Sequence, residues 1–85
     1  MNMYYVYAIQ SGKDGRIYVG LTSDVQKRLK EHNNGRTKST KFYVPWKLIY
    51  SEVCKDRISA RIREKYFKSG CGKEELKSWS RSSVE

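Results

Sequence analysis

Apolar and polar positions change rhythm along the chain in a way that marks its elements. MYYVYAIQS, from Met3, is a β-branched and aromatic run closed by SGKDG, whose glycines and aspartate mark a tight reversal. RIYVG follows as a second short strand, so residues 3–20 read as a β-hairpin. In TSDVQKRLKEHNNG the rhythm becomes helical: a start signal at Thr22 to Asp24, apolar Val25 and Leu29 four residues apart, and a glycine stop at Gly35. RTKSTKFYVP is a basic, polar loop, and the alternating WKLIYSEV predicts a third strand joining the hairpin.

KDRISARIREKYFKSG predicts a second helix, with Asp56 as N-cap and Gly70 as stop. Ile58, Ile62 and Tyr66 recur at four-residue spacing and are expected to face the sheet. GKEELKSW is a short third helix docked by Leu76 and Trp79, and SRSSVE, apolar only at Val84, is expected to fray. The order ββαβαα predicts one small α/β (α+β) domain over residues 1–79, with 80–85 as a tail. Its sheet is three-stranded and antiparallel, flanked by helices.

Size and composition narrow the class. With 85 residues the chain supports a single core. It has no apolar run of about 18 residues and no signal-peptide pattern, so a soluble, cytoplasmic protein is expected, with no membrane role. Cys54 and Cys71 form neither a CxxC pair nor a disulfide framework. With one histidine beside them, a structural zinc site is not expected. Eighteen Lys and Arg against nine Asp and Glu give a formal charge of +9. A surface this basic suits a polyanion, nucleic acid first, although charge alone does not separate DNA from RNA or an anionic membrane.

The candidate chemistry starts from spacing. Arg28 and His32 stand at i and i+4, each three residues after an apolar position, which puts them at the edge of the core and leaning towards the sheet. If Tyr7 and Tyr18 pair across the hairpin, two phenols share one face, which a purely structural aromatic pair explains equally well. Glu64 precedes Lys68 by four residues, the orientation of a surface ion pair, yet on the helical wheel it borders Ala60 and Phe67. One carboxylate suffices for Mg²⁺, which keeps several waters and takes further ligands from phosphate.

These residues form an ordered set. YVY (Tyr5, Val6, Tyr7) is separated by ten residues from YVG (Tyr18, Val19, Gly20), Arg28 lies eight past the glycine, His32 one turn on, and ARIREKYFK carries Glu64. The set resembles the GIY-YIG endonuclease superfamily from about Tyr4 to Lys77, in particular the small stand-alone proteins related to the excinuclease C nuclease domain. Tyr5 stands where the signature has its first glycine, and no asparagine follows soon after Glu64. The resemblance implies a divalent-metal-dependent DNA endonuclease hydrolysing phosphodiester bonds, with DNA repair or recombination as its setting.

In that reading Glu64 holds one Mg²⁺ or Mn²⁺ ion and Arg28 neutralises charge on the phosphate oxygens. Tyr18 takes the proton of the attacking water, helped by His32 or Tyr7. A phenol of pKa near ~10 needs about 4 kcal/mol of phenolate stabilisation to work near pH 7, so a relay through His32 stands beside direct activation by Arg28. Arg36, Lys38, Lys41 and Lys47, with Arg61 and Lys68 on the second helix, are read as the DNA grip, branched or damaged duplex included. Tyr43 and Trp46 are read as core or rim residues, with base stacking as the alternative. A protein partner would supply target choice. The other reading is a non-catalytic nucleic-acid-binding accessory module with the same fold.

Overall fold

In the computed structural model, which describes residues 3–82 and their side chains as far as Leu76, three strands form one antiparallel sheet. They are β1 (Tyr4–Ser11), β2 (Ile17–Thr22) and β3 (Trp46–Cys54), in the order β2-β1-β3. As the central strand, β1 is covered on both faces, and Val6, Tyr7, Ala8 and Ile9 are all buried. The reversal between β1 and β2 closes with Gly15 N–H donating to the Ser11 carbonyl at 3.0 Å, and Gly15 takes φ of 78°.

Helix α1 (Val25–Asn33) starts at Asp24, whose carboxylate accepts from the Lys27 N–H at 3.1 Å. It ends before Gly35, where φ of 75° stops the helix. Helix α2 (Arg57–Lys68) is capped by Asp56, which accepts from the Ser59 N–H at 2.8 Å. Helix α3 (Gly70–Ser82) begins directly after Ser69. The predicted stop at Gly70 is therefore the first residue of the next helix, which starts earlier and runs further than the sequence pattern suggests. Leu76 docks it as expected. The Trp79 side chain and residues 83–85 lie outside the described residues.

Alternation along the strands divides the core between the two faces of the sheet. Val6, Ala8 and Val19 pack on Ala60, Phe67 and Leu76 of α2 and α3. Tyr7, Ile9 and Trp46 pack with Tyr18, Leu48, and Val25 and Leu29 of α1. No helix among the described residues is long and apolar enough to cross a membrane.

Two expectations change. Tyr7 and Tyr18 do not face each other across the hairpin: Tyr7 opposes Gly20 and Tyr18 opposes Ile9, which makes the phenols diagonal neighbours. Ile58, Ile62 and Tyr66 do not face the sheet either, being 74%, 64% and 40% exposed. Helix α2 instead buries Ala60 and Phe67, with Arg63 and Glu64 beside them. Arg63 covers the Tyr66 and Phe67 rings, and its guanidinium donates to both oxygens of Glu52 at 2.7 and 3.2 Å. That paired, stacked arginine lets a charged lane take the inward side.

Candidate active site

Tyr7 is the point where the candidate residues meet. Its side chain is buried, and its hydroxyl lies 2.8 Å from His32 Nε2. The Tyr18 ring centroid is 6.4 Å away on the same face. Burial pushes the Tyr7 phenol up to about 12, against the adjacent Arg28 guanidinium, while the charges of Tyr18 and Glu64 add to the rise. Of the other candidates, His32 bonds this hydroxyl, Arg28 and Tyr18 act on it by charge, and Glu64 does so most weakly.

His32 sits deeper than its place at a helix edge suggests, at 0% exposure. Its second ring nitrogen, Nδ1, lies 2.8 Å from Thr40 Oγ1. Burial pushes the imidazole below its ordinary pKa, the Arg28 charge pushes the same way, and Glu31 opposes them. Arg28 donates to Glu31 at 2.9 Å, an ion pair that steadies the partly exposed guanidinium. Neither Glu31 nor Thr40 is singled out by sequence reasoning. An acid three residues after Arg28 is a detectable signal for the first, and none exists for the second.

Glu64 comes from α2, which packs across β1 and β2 on the other side of the sheet from α1. Its side chain is only 18% exposed and forms a 3.2 Å ion pair with Lys68. Among the described residues no three His, Cys, Asp or Glu side chains gather as a metal-holding group. The donor set is one half-shielded carboxylate. That fits a hard ion which keeps its waters and completes its shell from substrate, and does not fit a protein-only cage.

The predicted grip residues Arg36, Lys38, Lys41, Lys47, Arg61 and Lys68 are all exposed. The loop carrying the first three is anchored inward by Trp46, whose indole N–H donates to the Thr40 carbonyl at 2.9 Å. Asn33 holds the same segment by both its amide groups, accepting from the Trp46 N–H at 2.6 Å and donating to its carbonyl at 3.1 Å. Trp46 is therefore core, and the Tyr43 face is covered by the Arg16 guanidinium at 3.6 Å. The exposed aromatic of this loop is Phe42, 65% accessible beside Lys41, which sequence reasoning did not select. A cavity of about 290 Å³ lies elsewhere, at the start of α1 between Tyr5, Asp24, Leu48 and Ser51, and none of the five candidates lines it.

Two tyrosines, an arginine and a histidine lie on one side of the sheet and an acid comes from the helix on the other, a set that the domain match below makes nuclease-like. Residues 3–77 match the GIY-YIG catalytic domain. The chain is 37% identical over 84 residues to a UPF0213 protein of Clostridium perfringens, covering 98% of this chain and 89% of the relative. It is 36% identical over 78 residues to one of Staphylococcus saprophyticus, covering 91% and 94%. Among solved structures, the solution NMR structure of a UPF0213 protein from Bacillus halodurans is similar, with a TM-score of 0.55 and 34% identity over 89% of this chain and 83% of that one. The chain belongs to the GIY-YIG family, with the small stand-alone UPF0213 proteins as its relatives.

Proposed function

We propose that this protein is a divalent-metal-dependent DNA endonuclease, and the observation that carries the reading is the convergence on Tyr7. His32 bonds the Tyr7 hydroxyl, the Tyr18 ring lies beside both, and Arg28 and, more weakly, Glu64 from the second helix add their charges there. A merely basic surface does not need that arrangement. The GIY-YIG domain match supports a nuclease-like activity and a DNA substrate.

Within the site the residues divide by access. Tyr7, with a pKa near 12 and almost no exposure, remains a phenol and serves by orientation. His32 does not meet solvent and acts through Tyr7. Tyr18, half-buried, would be the phenol that takes the proton of the attacking water, its partial exposure supporting the reading. Arg28, partly exposed, offers a fork to phosphate oxygens. Glu64 would hold one Mg²⁺ or Mn²⁺ ion, which when bound supplies neutralising charge at the phosphate. Because phosphate contacts carry no sequence information, target choice among branched or damaged duplexes is assigned to a protein partner. A cytoplasmic repair or recombination setting goes with this reading.

A non-catalytic nucleic-acid-binding module is the second reading, favoured by the Lys68 ammonium already occupying the Glu64 carboxylate. Incubation with branched, nicked and single-stranded DNA in Mg²⁺ or Mn²⁺ separates the two. The expected result is cleavage that falls by roughly 10²–10³-fold in Glu64→Ala and in Arg28→Ala. Both variants keep wild-type melting behaviour. Cleavage unaffected by Glu64→Ala in either metal would overturn the endonuclease reading.

A further inference from the structure

A buried hydrogen-bond chain runs inward from the site. It passes from the Tyr7 hydroxyl to His32 Nε2 at 2.8 Å, from Nδ1 to Thr40 Oγ1 at 2.8 Å, and from Thr40 Oγ1 to the Thr37 carbonyl at 3.4 Å. Tyr7, His32 and Thr40 are each no more than 2% exposed, so water does not compete for these groups. Two proton arrangements are open to such a chain. The geometry selects one.

In the first arrangement every hydrogen has an acceptor. Thr40 donates to the Thr37 carbonyl, which can only accept, and this leaves the Thr40 oxygen free to accept from Nδ1–H. The bare Nε2 then accepts from the Tyr7 hydroxyl. In the second, Thr40 donates to Nδ1 and Nε2–H donates to the Tyr7 oxygen. The Thr40–Thr37 contact then loses its hydrogen, since a carbonyl cannot donate, and the Tyr7 hydrogen turns towards the side on which the Arg28 cation acts.

We infer that Thr40 is a positioning residue that fixes His32 as its Nδ1–H tautomer, so that Tyr7 donates inward and presents its oxygen lone pairs to the site. The consequence for catalysis rests on the nuclease reading, whereas the tautomer does not. With its hydrogen turned inward, Tyr7 presents its lone pairs to the Arg28 guanidinium that acts on the same hydroxyl. The opposite tautomer would present a hydrogen there and repel the guanidinium. Burial agrees with a neutral pair at rest, since it raises the phenol and lowers the imidazole. Thr40 also lies between Lys38 and Lys41, so the loop read as the DNA grip carries the residue that sets the proton direction.

His32 is the sole histidine of the chain, so ¹⁵N chemical shifts of the imidazole in untagged protein report its tautomer without ambiguity. The expected wild-type signature is a protonated Nδ1 and a bare Nε2, retained in Thr40→Ser and in Tyr7→Phe. Thr40→Val removes the Nδ1 acceptor at similar volume, and the tautomer is expected to shift towards Nε2–H. A wild-type Nε2–H tautomer, an unchanged Thr40→Val, or a shift in Tyr7→Phe would each overturn the inference. If Thr40→Val does not fold, the wild-type, Thr40→Ser and Tyr7→Phe spectra decide it. In the cleavage assay Thr40→Val is expected to lower kcat at least 10-fold with DNA affinity unchanged, and Thr40→Ser to restore it. Absence of wild-type cleavage would remove the endonuclease reading and leave the spectroscopic result standing.

Discussion

The Tyr7 phenol lies so close over Gly20 that a Cβ at position 20 would stand 2.7 Å from its hydroxyl oxygen and 2.9 Å from Cζ. The last residue of YVG is glycine for space: the ring occupies the place where a side chain would project. Tyr7 cannot swing aside, because it is buried and bonded to His32. Gly20→Ala is therefore expected to cost ~1–3 kcal/mol in urea unfolding and to weaken the Tyr7–His32 contact. A variant with wild-type stability and unchanged imidazole shifts would contradict this packing.

The depressed pKa of His32 makes stability depend on pH in a defined direction. The folded state holds the imidazole neutral, so the unfolded chain, with a value of about 6.5, binds more protons. The contribution is complete above that value and is lost as pH falls through the lowered native one. Asp14, Glu31, Glu52 and Asp56, also held below their ordinary values, add their losses at more acid pH. Urea midpoints from pH 8 down to 5 are expected to fall in wild type. His32→Gln should be less stable at pH 8 and flatter over the same range. Parallel curves would show that His32 protonates equally in both states.

The two sides of α2 should respond oppositely to substitution. Ile62→Lys, on the outer lane, is expected to change stability by no more than about 0.5 kcal/mol. Phe67→Ala empties a fully buried site beside Tyr50 and Arg63, and should cost ~3–5 kcal/mol. Chemical denaturation of the two variants checks the order. A large loss in Ile62→Lys would restore the aliphatic stripe to the core.

DNA affinity should fall steeply with salt, and alanine at Arg36, Lys38, Lys41 or Lys47 should each lower the logarithmic salt slope by roughly 1. Lys68→Ala should change it less, because that ammonium already neutralises Glu64. Binding isotherms at several salt concentrations measure the slopes. Equal slopes for wild type and a variant with all four loop cations removed would place the grip elsewhere on the protein.

The element order, the antiparallel sheet and the capping residues Asp24 and Asp56 were legible in the chain, because turn chemistry and strand alternation are local. The family resemblance was legible as well, because the Tyr7–Tyr18 spacing is fixed within one hairpin and the Arg28–His32 spacing within one helix. The buried side of α2 was not. Periodicity shows that Ile58, Ile62 and Tyr66 share a face, but not which face turns inward. That choice went to Ala60 and Phe67, which pack on Val6, Ala8 and Val19 of the sheet and on Leu76, while Arg63 beside them reaches Glu52 on β3. The depth of His32 and the role of Thr40 were likewise settled only when α1, β1 and the basic loop closed around one imidazole. Patterning along a chain records what each element can bury, whereas the contacts made between elements distant in sequence decide what it does bury.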